Sequence, residues 1–184
     1  MKLGLDIDDT ICDTWESVIP YMAKYYNIDY EYLKNLNKVY EEALGIDFKE
    51  YCRFAKRFYG DIVPNAKLKN DVIEVLTNLR NHNVEIIFIT ARSNNGFDNP
   101  YKITYDYLVN NNVPFDKLIV GCKDKACVCI DNDIDLFIDD SINNCMSVLD
   151  KGIDVLLFET KANKHVKELK KVKNFKEIEN IVLR

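Results

Sequence analysis

The chain has only two histidines, His82 and His165, and none of its six cysteines forms a Cys-x-x-Cys pair. That excludes the ligand spacing of a structural zinc site. No apolar stretch approaches the roughly 18 to 20 residues that a membrane span requires. The opening MKLGLDIDDT breaks its short apolar run at Asp6, unlike a secretory leader. Reduced thiols in the cytoplasm are the expectation that follows. Positive charge is also in deficit, with 25 Lys and Arg against 30 Asp and Glu and a net charge of −5. This balance argues against a partner that is long nucleic acid or an anionic membrane. No internal repeat or low-complexity tract is visible.

What is present suits one compact domain with a small insertion. A chain of 184 residues buries about 70% of its unfolded surface and needs no metal or disulfide staple to fold. The charges are unevenly distributed. Lys161 to Arg184 carries eight basic and three acidic residues, which leaves residues 1–160 near −10 (17 basic against 27 acidic). The acidic side chains are therefore bunched upstream.

Short apolar runs alternate with amphipathic segments. Lys2–Ile7, Val84–Ile89, Lys117–Val120, Asp135–Ile138 and Ile153–Phe158 read as buried strands. Tyr101–Asn112, Lys125–Ile130, Ser141–Asp150 and Asn174–Leu183 read as helices, with Ser141 as a cap and Gly152 near a stop. This β-α-β rhythm predicts an α/β fold with a parallel sheet and helices on both faces. One interval breaks it. Between Ile7 and Val84 no strand signal occurs; instead Asp13–Tyr26, Tyr30–Leu44, Asp47–Tyr59 and Leu68–Asn81 have helical patterns. Residues 14–66 are therefore expected to form a helical insertion after strand 1, and residues 1–13 with 67–184 the core.

The first strand ends in Asp6-Ile7-Asp8-Asp9-Thr10 and the fourth in Asp139-Asp140-Ser141. Ligands of open α/β sheets bind beyond the carboxyl ends of strands, where the strand order reverses. If strands one and four are neighbours, five carboxylates converge there, a crowding that requires a cation or a proton. Oxygen donors of this kind suit Mg²⁺. The second strand ends in Thr90-Ala91-Arg92, and Lys125 precedes the fourth strand. Carboxylates, Mg²⁺, a hydroxyl and an ammonium together describe a phosphoryl-transfer site.

These motifs resemble those of the haloacid dehalogenase (HAD) superfamily of phosphohydrolases. Asp6-Ile7-Asp8-Asp9-Thr10 matches its first motif, Ile89-Thr90 its second, Lys125 its third and Asp139-Asp140 its fourth. Thr90-Ala91-Arg92-Ser93, Pro114-Phe115-Asp116-Lys117-Leu118 and the run Ile134 to Ser141 are similar to a bacterial nucleotidase group akin to the 5'(3')-deoxyribonucleotidases. The resemblance implies a Rossmann-like sheet with a helical cap, and a small phosphorylated metabolite, first of all a (deoxy)nucleoside monophosphate, as partner. It further implies Asp6 as nucleophile and Asp8 as the acid and base. Thr90 and Lys125 would contact the phosphoryl group, with Ala91 and Arg92 against the substrate. Mg²⁺ would be held by Asp6, the Asp8 carbonyl and Asp139, with Asp140 nearby. Many members of the superfamily carry glycine at position 9, so Asp9 is given only a solvated or helix-capping role.

On the residues themselves several readings stay open. Lys123 and Lys102 compete with Lys125 as the third-motif lysine. Arg92 faces substrate or solvent, and Arg53 and Arg57 hold a phosphate or form a solvated face. Cys122, Cys127 and Cys129 read as small core residues. The insertion contains 12 of the 21 aromatics, which either build its core or stack on a substrate ring. The basic tail reads as solvated. Other functions compatible with the motifs are hydrolysis of sugar phosphates or nucleic-acid phosphate ends, and a non-catalytic phosphate-sensing scaffold. Receiver-type sensing modules need an acceptor Asp at the third strand's end, where this chain has Ile119-Val120-Gly121-Cys122.

Overall fold

Strands made of nearly continuous apolar residues must be covered on both faces, and a parallel sheet with helical crossovers does this. The computed structural model describes residues 1–36 and 44–184. Six parallel strands form one sheet: β1 (Lys2–Leu5), β2 (Glu85–Ile89), β3 (Lys117–Ile119), β4 (Leu136–Asp139), β5 (Asp154–Phe158) and β6 (Lys171–Val172). Their spatial order is β3-β2-β1-β4-β5-β6. The order therefore reverses between β1 and β4, where Leu5 pairs with Ile138. This is the switch point at which such sheets open a crevice.

Alternate residues divide the core. Leu3, Leu5, Ile86, Phe88, Leu136, Ile138, Leu156 and Phe158 belong to one apolar cluster. Ile87, Ile89, Phe137, Val155 and Leu157 belong to the other. Gly4 has no side chain because a Cβ there would lie 3.0 Å from the Phe137 ring.

The helices are α1 (Thr14–Tyr26), α2 (Tyr30–Lys34), α3 (Phe48–Ile62), α4 (Val72–Asn81), α5 (Pro100–Asn110), α6 (Lys125–Asp131), α7 (Ile142–Leu149) and α8 (Phe175–Val182), with a 3₁₀ turn at Val63–Asn65. Local chemistry sets their starts. Asp47, Asn99, Asp124, Ser141 and Asn174 each accept a backbone N–H of the following first turn, and Pro100 opens α5. Gly152 follows α7 at φ +80°, a conformation open to glycine. Of the expected Tyr30–Leu44 helix, α2 is the first part, and residues 37–43 lie outside the described residues.

Helices α1 to α3 place Val18, Ile19, Met22, Leu33 and Phe54 in the same apolar cluster as Leu3 and Leu5. The two chain passages at the foot of this segment are tied together. Asp13 N–H donates to the Lys67 carbonyl (2.8 Å) and Lys69 N–H to the Ile11 carbonyl (2.9 Å).

Most lysines of the basic tail are exposed, as the solvated reading has it, but the apolar residues between them are not. Val166, Leu169 and Val172 are buried, and β6 pairs with β5. Two strand residues are too few to show a period in a lysine-rich sequence, which is why the pattern hid them.

Candidate active site at the carboxyl ends of the strands

Asp6 leaves the tip of β1 and its N–H donates to the Ile138 carbonyl (2.9 Å), which sets it beside the end of β4. There Asp6, Asp139 and Asp140 each offer a carboxylate oxygen within 4.8 Å of the others. Asp139 is fixed by the start of α7, accepting from the Ser141 N–H (2.7 Å) and the Asn144 side chain (2.9 Å). Asn163 holds the neighbouring turn by donating to the carbonyls of Asp140 (2.8 Å) and Phe158 (2.7 Å). The three carboxylates are an all-oxygen donor set, the kind that Mg²⁺ prefers.

Lys125 is the buried cation of this cluster. Its Nζ is ion-paired with Asp6 and with Asp139, the latter at 2.7 Å. Asp124 explains why this lysine turns inward. Its carboxylate caps the Cys127 N–H (3.0 Å), so α6 begins at Lys125 and its first residue points toward the strand tips. Lys123 precedes the helix and is exposed at the rim of the crevice. Lys102 lies on α5, exposed and paired with Asp106.

Burial, with Asp139 and Asp8 adding repulsion, pushes the Asp6 carboxyl up to about 7 against the pull of Lys125. Burial and the Asp139 charge also drive Asp140 well above the ordinary range. Lys125 is moved the other way from what burial alone would do, because Asp6 and Asp139 hold its proton. The crevice thus has more negative charge than one ammonium balances.

Asp8 stands apart from the trio. Its carboxylate accepts Arg92 Nη2 (2.6 Å) and the Thr14 hydroxyl (2.6 Å) on Oδ1, and Arg92 Nε (2.9 Å) on Oδ2. Burial works against its charge, yet the Arg92 fork and the Thr14 hydroxyl outweigh burial and hold the carboxyl below its ordinary value. Arg92 does not face solvent: it is 5% exposed, its fork meets Asp8, and it is among the residues lining the cleft. Thr104 takes a weaker contact from Nη1 (3.4 Å), and the guanidinium lies 5.9 Å from the Tyr107 ring centre.

Asp9 caps α1 from a distance. Its Oδ1 accepts the Trp15 N–H (2.9 Å), and Asp13, which directly precedes the helix, makes no side-chain cap bond. Asp9 adopts φ +57°, the left-handed region where glycine is least strained. Burial pushes its carboxyl up to about 7.

A cleft of about 690 Å³ opens over these groups, lined by Asp6, Asp8, Thr90, Ala91, Lys125 and Asp139 among others. Thr90 is buried at the end of β2, and Ala91 is exposed. Trp15, Phe48, Tyr51, Tyr59 and Phe97 also line the cleft. Other aromatics of the helical segment pack on one another, with Tyr25 against Phe54 (5.6 Å) and Tyr21 against Phe58 (5.5 Å). One subset thus builds the core of the segment, and another lines the cleft. Arg53 pairs with Glu50 (2.8 Å) and Arg57 lies over the Phe58 ring (5.3 Å), both away from the cleft. Cys122 and Cys129 are buried as expected; Cys127 is exposed beside Asp124 (3.1 Å).

Thr14, Asn144 and Asn163 were not foreseen. Asn144 carried a faint signal, three residues after the Ser141 cap. Thr14 and Asn163 carried none, since their partners depend on how loops pack.

The family model described as "5' nucleotidase, deoxy (Pyrimidine), cytosolic type C protein" matches residues 1–184. A curated nucleotidase of Clostridium acetobutylicum is 28% identical over 165 residues, covering 89% of this chain and 83% of the relative. The crystal structure of a predicted phosphatase from Clostridium acetobutylicum superposes with a TM-score of 0.74 at 13% identity, covering 99% and 97% of the two chains. A HAD hydrolase, YfnB from Bacillus subtilis, solved bound to magnesium, matches with a TM-score of 0.66 at 14% identity over 100% and 98%.

Proposed function

The chain belongs to the cytosolic type C 5' nucleotidase, deoxy (pyrimidine) family of phosphohydrolases, and from that premise we propose that it hydrolyses a nucleoside monophosphate with Mg²⁺ through a phosphorylated Asp6. The observation that carries the reading is the meeting of Asp6 and Asp139 on the Lys125 ammonium at the tips of β1 and β4. The aromatic wall supports a nucleoside leaving group, because flat rings offer apolar contact to a base. Six free cysteines, four of them buried, support a reducing, cytoplasmic setting.

The chemistry divides among the chain's own groups. A carboxylate oxygen of Asp6 attacks phosphorus, the bond to the ester oxygen breaks, and the phosphoryl group is held on Asp6. Asp8, ionised in the free crevice, takes up a proton as the anionic phosphate arrives beside it and gives that proton to the departing oxygen. It then takes one from the water that attacks the same phosphorus, which frees inorganic phosphate and restores Asp6. The Thr90 hydroxyl donates to a phosphoryl oxygen, and the Lys125 ammonium offsets the growing charge. Asp6, Asp139 and the Asp8 carbonyl would hold the magnesium ion, with Asp140 beside them. When bound it supplies the positive charge that lets an anionic phosphate enter an acidic crevice. Helices α1 to α3 form the cap, which brings Trp15, Phe48, Tyr51 and Tyr59 over the nucleoside.

The test is release of inorganic phosphate from a panel of deoxyribonucleoside, ribonucleoside and sugar monophosphates, with Mg²⁺ or with chelator. Magnesium-dependent release that favours the nucleotides is the expected result. Release only from sugar phosphates, or unaffected by chelator, would overturn the substrate class or the metal requirement respectively.

A further inference from the structure

Asp8 accepts three hydrogen bonds, and two of them come from a residue 84 positions away. Arg92 meets it edge-on with two N–H groups, at 2.9 and 2.6 Å, while Thr14 adds a hydroxyl at 2.6 Å. Oδ1 accepts two donors and Oδ2 one, so Oδ2 keeps a free lone pair. The fork itself is anchored. It is buried against Thr104 and the Tyr107 ring, and the Tyr107 hydroxyl donates to the Ala66 carbonyl (2.8 Å) at the end of the helical segment. A bidentate guanidinium defines the plane of a carboxylate, which a lysine ammonium does not do.

We propose that Arg92 is a positioning residue: it acts through Asp8, holding the carboxylate so that Oδ2, the oxygen with a free lone pair, is the one that takes up a proton as the anionic phosphate arrives and passes it to the leaving group. The inference rests on the phosphatase reading above and adds to it which residue sets the acid's geometry and which oxygen it uses. A general acid off its line of transfer loses its contribution even when it remains nearby. Substrate binding by Arg92 is disfavoured by the same geometry, because Nε and Nη2 already face Asp8 and Nη1 faces Thr104.

Leaving-group dependence separates this role from a structural or phosphate-binding one. An alkyl leaving group, as in a nucleoside 5'-monophosphate, needs a proton as its P–O bond breaks; 4-nitrophenolate leaves as a stable anion and needs little. The measurement is kcat/KM, which reports the steps up to phosphoryl transfer, for the nucleotide and for 4-nitrophenyl phosphate. It is made on wild type, Arg92→Met, Arg92→Lys, Thr14→Val and Asp8→Asn. General acid catalysis contributes about 10²- to 10⁴-fold. Arg92→Met should therefore lose most of that factor on the nucleotide and at least tenfold less on the aryl ester, as should Asp8→Asn. Arg92→Lys, which keeps the buried charge without the fork, should show the same split, and Thr14→Val a smaller one. Far-UV circular dichroism identifies any variant that fails to fold, and Arg92→Lys and Thr14→Val then carry the test. An equal loss on both esters, or no loss on either, overturns the proposal. If wild type hydrolyses neither ester, it is the phosphatase reading that fails, and the proposal with it.

Discussion

Replacing Lys125 with methionine keeps most of the side-chain volume and removes the ammonium that bridges Asp6 and Asp139. Both carboxylates and the ammonium are nearly inaccessible, at 8%, 1% and 3% side-chain exposure, and the Asp139 contact is 2.7 Å. Deleting one partner of a buried ion pair costs about 3 to 5 kcal/mol, chiefly because the remaining charge is left unbalanced. For a domain of this size that lowers Tm by roughly 6 to 20 °C, at about 2 to 4 °C per kcal/mol. Here the uncompensated groups are two buried carboxylates, of which Asp6 is already pushed up by burial, so the structure offers two remedies: a divalent cation or protons. The assay is thermal and urea unfolding of wild type and Lys125→Met at neutral pH, in chelator and in millimolar Mg²⁺. The expected loss is large in chelator and clearly smaller with Mg²⁺ or below pH 6. A loss under about 1 kcal/mol in chelator, the size of an exposed pair, would refute the claim that Lys125 neutralises this crevice. So would an equal loss with and without Mg²⁺.

Asp6→Glu should lower phosphate release by at least about a hundredfold while leaving unfolding nearly unchanged, because one methylene moves the attacking oxygen off line; steady-state kinetics beside a melting curve checks both halves. At position 9 the strained φ and the cap bond to Trp15 have opposite substitution rules. Asp9→Ala loses the cap and keeps the strain, costing roughly 2 kcal/mol in urea unfolding, whereas Asp9→Gly relieves the strain and should cost under about 1 kcal/mol. The pH dependence follows from Asp6 and Asp9, both pushed up to about 7 by burial, and from Asp140, also raised. The native chain then binds more protons than the unfolded one between the ordinary carboxylate range and pH 7, so metal-free stability rises as pH falls through that window. The limit is about 1.4 kcal/mol per pH unit per group. Asp8, lowered by Arg92 and Thr14, acts oppositely: its stabilisation is present above the ordinary carboxylate range and is lost on acidification below it. Melts in chelator from pH 5 to 7 test the sign, and a Tm that climbs with pH would contradict it.

The apolar runs made β1, β2, β4 and β5 legible in the sequence, since a strand buried on both faces has few polar residues. Acidic residues placed just past two such runs made the meeting of Asp6 with Asp139 legible too, once the strand order put β1 beside β4. The choice among lysines was not legible. It depends on α6 starting at Lys125, one residue after the Asp124 cap, and Lys123 has the same chemistry. The partner of Arg92 was not legible for a related reason. Sequence places it at a strand tip facing the crevice but cannot say that its fork turns to Asp8 and Thr104 rather than outward. Side-chain direction at loop positions is set by tertiary partners, which have no period. The two-residue β6 escaped because lysines surround it, and its pairing depends on β5 being there.

Trapping phosphate on the chain tests the central claim most directly. Wild type, mixed with Mg²⁺ and the best nucleotide of the panel and quenched in acid within a turnover, would be digested and its peptides weighed. The account predicts that the peptide Leu3–Lys24 gains the mass of one phosphoryl group, that fragmentation places it on Asp6, and that Asp6→Asn never gains it. Turnover of the nucleotide with an unmodified peptide, or phosphate on another residue, would contradict the account.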